Sequence, residues 1–512
     1  MAAVGSRIAV PTTRRLLWNP RPAAVVLFAA LLGTTGFAAA PTTLRADLPP
    51  HRAAAALHWR SCNGAECATL QVPLTDTGVV PAGAPRSTVD LAVIRVRALD
   101  PAHRIGVLVL NPGGPGAPVV DFVRDFAPSL PKELRDRFDL VGFDPRGVGR
   151  STPVDCADDL DAFWHLDLAS TAPDAAAKML STTGDLVAGC QQRSGWLLPY
   201  VSTDQAAQDM DRLRRALGER TITYLGFSYG TYLGARYAAR YPSRLRAAVL
   251  DGAVDPALDA ATVAIQQSVG FERSLDRFLE DCASRPSCAF SRGGQSAAAY
   301  DALRARLAVA SLPVPGGRRL GPGEFDVGVS EVLYGGRDRW GDLAAALDDA
   351  DRGDGSALLG SFDQYAGRSP DGTYDDSIEA FFAISCLDGP SVGGVAGIAA
   401  IADAAARAAP RLGRAIVNSS LACALWPVPP VHAEPEAVRA PDAPPLLVIG
   451  TQDDPATPLA WARGLADELA TGVLLIAPGE QHTAFDEGNR CVDRTVVQYL
   501  VARTPPRDGK EC

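Results

Sequence analysis

The sequence contains no long run of basic residues and few histidines. Its net charge is −10, and only six of its 512 residues are histidine. A nucleic-acid-binding face needs clustered Lys and Arg side chains, so this function class is excluded. No cluster combines Cys and His at the spacing of metal ligands, and we predict neither a metal site nor a cofactor. The mild negative charge by itself indicates solubility.

A hydrophobic run long enough to cross a membrane comfortably is also missing. The apolar run at 23–32 is short, and four arginines but no acidic residue precede it. Mostly small residues follow at 36–40. This order is typical of a secretory signal peptide, which we assign to 1–40, with no membrane span left after its cleavage. The alternative is an uncleaved N-terminal anchor.

Ten cysteines, an even number, follow this predicted signal peptide in the chain. Such a pattern predicts disulfides and a secreted or cell-envelope protein. The sequence does not determine the connectivity. The simplest expectation is that sequential neighbours pair, which gives Cys62–Cys67, Cys156–Cys190, Cys282–Cys288, Cys386–Cys423 and Cys491–Cys512.

Short apolar runs bounded by Gly and Pro recur along the chain. The runs at 106–110, 138–143, 221–225 and 446–449 contain four to six residues each, a length typical of strands buried on both faces. Helical patterns such as 204–217 lie between them. This alternation predicts an α/β fold with a mainly parallel sheet flanked by helices.

One long segment, 257–435, interrupts this alternation and is mostly helical in pattern. We therefore divide the chain after the signal peptide into a first core part (41–256), a helical cap insertion (257–435) and a second core part (436–512). A separate C-terminal helical domain is the alternative, and the strand-like run at 446–449 argues against it. The length suits one large domain with an insertion.

The segment 221–234 carries the strongest chemical signal. An apolar strand leads into Gly226-x-Ser228-x-Gly230, and a helical pattern follows. This is the nucleophile elbow of the α/β-hydrolase fold, where small residues two before and two after the central serine relieve a sharp strand-to-helix turn. We predict Ser228 as the nucleophile.

A serine hydroxyl needs a base, and in this fold the acid and then the histidine follow the serine. Of the two histidines after Ser228, His482 lies in a loop behind the run at 473–476, whereas His432 precedes the strand that should carry the acid. We predict His482 as the base. Asp454 is the favoured acid because Pro455 makes its backbone extended, and Asp453 remains the alternative.

The oxyanion of acyl transfer needs two backbone N–H donors. Tyr229, directly after the nucleophile, should supply one. Gly114, in the Gly-rich loop after the strand at 106–110, should supply the other, since glycine lets a backbone approach a substrate closely.

Four motifs together resemble the prolyl/tripeptidyl aminopeptidase family of serine peptidases. They are Asn111-Pro112-Gly113-Gly114-Pro115-Gly116, Asp144-Pro145-Arg146-Gly147, Gly226-Phe227-Ser228-Tyr229-Gly230-Thr231 and Asp454-Pro455-x-Thr457-Pro458. The resemblance implies a cap between the two sheet halves and the triad Ser228, Asp454 and His482. Gln481 departs from the family, in which a glycine is common before the histidine.

The resemblance further implies an exported peptidase that releases short peptides, tripeptides above all, from the free N-terminus of peptide or protein substrates. Binding the substrate ammonium would require an acidic residue in the cap, and Asp388 and Glu379 are the candidates. An esterase or lipase with the same triad and a non-catalytic envelope-binding protein are the alternatives. The oligomeric state is left open.

Overall fold

The computed structural model describes residues 57–77, 79–80 and 82–512. The predicted signal peptide at 1–40 lies outside these residues. Within them, no helix combines the length and the apolar character that a membrane crossing needs.

The described residues form twelve strands, ten of them in one sheet and two in a small hairpin. The strands are β1 (Arg60–Cys62), β2 (Ala65–Pro73), β3 (Thr88–Val96), β4 (Gly106–Asn111), β5 (Phe138–Phe143), β6 (Ile222–Phe227), β7 (Leu245–Asp251), β8 (Leu312–Pro313), β9 (Arg319–Leu320), β10 (Leu446–Thr451), β11 (Gly472–Ala477) and β12 (Lys510–Glu511). The large sheet has the order β1-β2-β3-β5-β4-β6-β7-β10-β11-β12, and β8 pairs with β9.

From β5 to β12 every neighbouring pair of the large sheet is parallel, and only β1, β2 and β3 join it in antiparallel pairs. Every residue of β4, β5, β6 and β10 is buried. Strands covered on both faces have near-continuous apolar sequences. The predicted α/β-hydrolase fold with a mainly parallel sheet is confirmed.

Seventeen α-helices occur in the described part of the chain. They are α1 (Val119–Phe126), α2 (Lys132–Arg137), α3 (Asp161–Trp164), α4 (Pro173–Ser194), α5 (Thr203–Ala216), α6 (Tyr229–Arg240), α7 (Ala260–Ser284), α8 (Ser296–Val309), α9 (Pro322–Tyr334), α10 (Trp340–Asp351), α11 (Ser356–Ala366), α12 (Ser377–Asp388), α13 (Gly394–Ala408), α14 (Gly413–Asn418), α15 (Leu421–Ala424), α16 (Leu459–Glu468) and α17 (Arg490–Ala502).

The helices α7 to α15, with the β8–β9 hairpin, all lie between β7 and β10 in the chain. We call this segment the cap. One face of the sheet contributes Val109, Tyr224 and Val448 to a hydrophobic cluster that continues into the cap through residues such as Phe271 and Phe325. A second cluster covers the opposite face. The cap and the sheet therefore share one core.

All five disulfides connect sequential cysteines, as the simplest expectation had it. No free cysteine is found in the described chain. The Cys386–Cys423 bridge joins α12 to α15 inside the cap. This bridging suits an oxidising compartment.

Arg146, from the Asp144-Pro145-Arg146-Gly147 motif, is almost completely buried. Its guanidinium donates to both carboxylate oxygens of Asp209, at 2.7 and 2.9 Å. It also donates to the backbone carbonyls of Leu74, Tyr200 and Pro73. A buried charge needs this degree of pairing, because removal of one partner leaves the other uncompensated.

We expect Arg146→Met to lower the free energy of unfolding by about 3–5 kcal/mol, because Asp209 loses its bidentate buried partner. Guanidinium unfolding with the disulfides intact measures this change. The matched control is Arg97→Met, which removes an ion pair whose arginine side chain is 66 % exposed. Equal effects of the two substitutions would contradict the importance of the buried pair.

Candidate active site

Ser228 stands between β6 and α6 with φ 53° and ψ −125°, a strained backbone conformation for a residue with a side chain. A Cβ on Gly226 would lie 2.5 Å from the carbonyl oxygen of Gly230, and a Cβ on Gly230 would lie 2.8 Å from Oδ1 of Asn111. Neither position has room for a larger residue. The elbow geometry predicted from the motif is therefore present.

Asp454 and His482 meet although 28 positions separate them in the chain. Nδ1 of His482 lies 3.0 Å from Oδ1 and 2.9 Å from Oδ2 of Asp454. The carboxylate also accepts from the backbone N–H groups of Ala456 and Thr457 and from the Thr457 hydroxyl. These bonds orient the carboxylate toward the imidazole.

The alternative acid, Asp453, faces elsewhere. Its carboxylate pairs with Arg277 of α7 at 2.6 Å. Arg277 also lies 3.3 Å from Glu480, two residues before His482. Of the two neighbouring aspartates, Asp454 is the one whose carboxylate contacts the predicted base.

Ser228 and His482 line the same cavity. Nε2 of His482 is buried and has no hydrogen-bond partner in the described protein, the Ser228 hydroxyl included. A catalytic hydrogen bond often forms fully only once substrate is bound. The free nitrogen belongs to the ring edge opposite Asp454, which is where a triad needs its proton acceptor.

The loop after β4 approaches the predicted nucleophile closely. A Cβ on Gly113 would lie 2.9 Å from the Cβ of Ser228 and 3.3 Å from the backbone nitrogen of Tyr229. The N–H of Gly113 donates to Oδ1 of Asn111. Among the described residues, no protein atom accepts from the N–H of Gly114 or Tyr229. Both predicted oxyanion donors therefore remain available, and both border the cavity.

Sequence reasoning missed three residues around His482. Asp251, the last residue of β7, accepts hydrogen bonds from the backbone N–H groups of Ala484 and Phe485. A Cβ on Gly252 would lie 3.0 Å from Cε1 of His482. Asp251 stands directly after the apolar run at 247–250, and that position at a strand end is the available signal.

The third missed residue, Tyr334, comes from the cap. Its ring packs edge-on against the His482 imidazole with 5.4 Å between the centroids. Its carbonyl accepts the backbone N–H of His482 at 2.8 Å. Helix α9 therefore positions the predicted base directly, and no local pattern in the sequence links these two residues.

The two acids predicted to bind the substrate ammonium have different surroundings. Asp388, at the end of α12, borders the cavity and accepts from the backbone N–H of Thr203 at 2.9 Å. Glu379 does not border the cavity. Its carboxylate instead accepts from the N–H groups of Cys156 and Ala157, at 2.7 and 2.9 Å. The Glu379 carboxylate therefore anchors α12 to the core and faces away from the cavity.

The cavity has a volume of about 1250 Å³ and lies between the cap and the carboxyl ends of the parallel strands. Most of its wall is apolar and aromatic. No lysine or arginine occurs among the described residues that line the cavity. Six acidic side chains line it: Asp255, Asp326, Glu331, Asp375, Asp388 and Glu487. Arginines outside the wall pair with two of these acids, Arg304 with Asp326 and Arg339 with Glu331. The other four give the space its preference for positively charged groups.

Two opposing effects act on the pKa of His482. Burial lowers the pKa of the imidazole, but the charge and the hydrogen bond of Asp454, with a further contribution from the Asp251 charge, outweigh burial and raise the pKa above its ordinary value. A base must be neutral to accept a proton. The fall of activity at low pH, its acid limb, should therefore lie at a higher pH than an unperturbed histidine would give.

We expect Asp454→Asn to reduce kcat by about 10⁴-fold, because the amide no longer stabilises the imidazolium or its productive orientation. The acid limb of the residual activity should lie at a lower pH than in the wild type. Burial, which lowers the pKa of His482, is then no longer opposed by the charge of Asp454. Steady-state kinetics across pH 5–9 measure both effects.

The control is Asp453→Asn, whose side chain contacts Arg277 and not the imidazole. Its kcat and acid limb should stay close to wild type. A kcat loss in Asp453→Asn that matched the loss in Asp454→Asn would contradict the assignment of the acid.

Comparison with known families and proteins shows what the chain is similar to. A family model described as alpha/beta hydrolase fold matches residues 106–311, and a model described as TAP-like protein matches 409–512. Serine protease Hip1 of Mycobacterium tuberculosis (strain H37Rv) is 33 % identical over 470 residues, which cover 88 % of this chain and 87 % of Hip1.

Of two further relatives, one carries the name of an esterase and the other the name of a peptidase. Carboxylesterase B of the same organism is 36 % identical over 525 residues, covering 97 % of this chain and 99 % of that protein. Tripeptidyl aminopeptidase of Streptomyces lividans is 29 % identical over 420 residues, covering 80 % and 77 % of the two chains. With near-complete coverage at this identity, the chain belongs to the α/β-hydrolase family of serine peptidases and related serine hydrolases that includes Hip1, carboxylesterase B and the tripeptidyl aminopeptidases.

Proposed function

We propose that this protein is an exported serine peptidase that releases short peptides, tripeptides in particular, from the free N-terminus of peptide or protein substrates. The observation that carries the proposal is the charge of the cavity in front of Ser228. Six acids and no lysine or arginine border it among the described residues. An N-terminal ammonium is attracted into such a space, whereas a C-terminal carboxylate is repelled.

The proposed chemistry uses the triad directly. His482 takes the proton of the Ser228 hydroxyl as its oxygen attacks the scissile carbonyl, and Asp454 stabilises the resulting imidazolium. The N–H groups of Tyr229 and Gly114 donate to the oxyanion. The imidazolium then protonates the leaving amine as the C–N bond breaks. Water, deprotonated by His482, releases the peptide from Ser228.

Asp388 is the proposed ammonium site. Thr203 donates to its carboxylate through both its backbone N–H and its hydroxyl. The same Thr203 hydroxyl contacts the phenol of Tyr229, the residue next to the nucleophile. The carboxylate is thereby connected to the elbow through two side chains. A charge-assisted hydrogen bond to it would hold the substrate N-terminus at a defined distance from Ser228.

The pKa of Asp388 gives this site a pH dependence. Burial raises the pKa of Asp388 to about 7, although the hydrogen bonds from Thr203 act to lower it. The carboxyl is therefore charged above about pH 7 and neutral below it. A peptide α-amino group loses its own proton near pH 8. Capture of the N-terminus should be strongest between these two values.

Ester hydrolysis is the second candidate function. It is favoured by the carboxylesterase B relative and by the aromatic part of the cavity wall, since the same triad can cleave esters. The two functions differ in whether a free N-terminus is needed.

Export remains part of the proposal. Its support is the basic and apolar N-terminal pattern together with five disulfides in the described chain. Disulfides persist in secreted and envelope proteins and are rare in the reducing cytosol.

Blocking the N-terminus should separate peptidase from esterase. We expect acetylation of a chromogenic tripeptide anilide to lower kcat/KM by about 10–100-fold, the loss of one charge-assisted hydrogen bond. Asp388→Asn should produce the same loss on the free peptide and little change on the acetylated one. Either change should also remove the contribution of Asp388 to the fall of kcat/KM at low pH, and the fall caused by protonation of His482 should remain.

The matched control is Glu379→Gln, whose side chain does not border the cavity, and its preference for the free N-terminus should equal that of the wild type. Equal turnover of free and acetylated peptides by the wild type, with faster cleavage of simple esters, would contradict the peptidase and support the esterase.

A serine-directed probe tests whether the chain is catalytic at all. A fluorophosphonate should attach to the wild type at Ser228 and fail to attach to Ser228→Ala. Peptide mapping by mass spectrometry locates the adduct. An unlabelled wild type, or a label on another residue, would contradict the proposed nucleophile and favour a binding protein.

A further inference from the structure

The loop that carries His482 has a second acidic partner besides Asp454. The carboxylate of Asp251 accepts the backbone N–H of Ala484 at 3.1 Å and that of Phe485 at 2.8 Å. These residues are the second and third after His482. The Asp251 side chain is fully buried, so the two bonds form without competition from solvent.

The backbone of the same residue contacts the nucleophile. The carbonyl oxygen of Asp251 accepts the N–H of Ser228 at 2.8 Å. The next residue, Gly252, has φ 67°, and a Cβ there would lie 3.0 Å from Cε1 of His482. The end of β7 therefore contacts the backbone of Ser228, the ring of His482 and the loop behind it.

We propose that Asp251 is a positioning residue that sets the distance between His482 and Ser228, because its carbonyl bonds the backbone of Ser228 and its carboxylate bonds the backbone of the loop directly after His482. The inference rests on the proposed function, because it assigns Asp251 to the same triad. Asp251 touches no reacting atom. It acts through the loop, which must stay fixed while the imidazole shuttles the proton, and small misplacements of such a group are costly in rate.

The charge of Asp251 adds an electrostatic effect. The titratable side chains that face His482 are Asp454 from the loop after β10, Asp251 from β7 and Tyr334 from α9. Glu480, in the same loop, is paired with Arg277 and Arg337. Burial raises the pKa of Asp251 to about 6, so its carboxyl is mostly ionised at neutral pH. That charge raises the pKa of His482.

Asp251→Asn keeps the shape and removes the charge. We expect kcat to fall on the order of 10²-fold with KM little changed, since the substituted group contacts the loop and not the substrate. The acid limb of kcat should also move to lower pH, because one of the charges that raise the pKa of His482 is gone. A merely structural role would not move this limb.

Asp144→Asn is the matched control. Asp144 also follows a buried strand, is fully buried and accepts two backbone N–H groups, those of Val120 and Arg150. It does not contact the His482 loop. Its substitution should lower the melting temperature without moving the acid limb. If Asp251→Asn folds and retains the kcat and the acid limb of the wild type, or changes only the melting temperature, the proposal is overturned.

A second measurement needs no variant of Asp251. In protein labelled with ¹⁵N-phenylalanine, the amide resonance of Phe485, assigned through Phe485→Leu, should shift with pH as Asp251 titrates, with a midpoint near 6 that is distinct from the higher midpoint of His482. A resonance that does not respond to pH would overturn the contact.

Ser228→Ala tests the proposed function separately. If this variant retains wild-type turnover, the triad is wrong. If Ser228→Ala loses turnover while Asp251→Asn behaves like the wild type, only the positioning role is rejected.

Discussion

At Ser228 the chain leaves a buried strand and enters a helix within a single residue, and the backbone conformation this requires costs on the order of 1–3 kcal/mol. The surrounding contacts maintain it. Gly226 and Gly230 lie so close to their neighbours that neither has room for a Cβ, and the N–H of Ser228 is bonded to the carbonyl of Asp251. The strain presents the hydroxyl to the cavity at the start of α6, where the N–H of Tyr229 is left without a protein acceptor among the described residues.

The remaining groups gather around this turn because neighbouring parallel strands end at one edge of the sheet. Strands β6, β7, β10 and β11 are adjacent, and the loops that follow them carry Ser228, Gly252, Asp454 and His482. The cap completes the arrangement, because the carbonyl of Tyr334 in α9 accepts the backbone N–H of His482. The cap thus both encloses the substrate space and contributes to the position of the base.

Sequence reasoning succeeded where a local pattern reflects a local constraint. The apolar runs marked the parallel strands, the spaced glycines marked the elbow, and Pro455 distinguished Asp454 from its neighbour. It failed where the constraint is a contact between distant segments. Asp251 and Ala484 are 233 positions apart, and nothing near either one reports the bond. In the cap, Glu379 and Asp388 lie on the same helix, and only the packing of α12 shows that one binds the core and the other borders the cavity.

A crystal structure of the protein inactivated with a phosphonate that mimics the tetrahedral intermediate tests the triad and the oxyanion donors most directly. We predict phosphorus bonded to Oγ of Ser228, a phosphonyl oxygen within about 2.7–3.1 Å of the backbone nitrogens of Tyr229 and Gly114, and Nε2 of His482 within hydrogen-bond distance of the Ser228 oxygen. A phosphonate on Ser228 with the His482 ring turned away, or with its oxygen directed to solvent, would contradict this prediction.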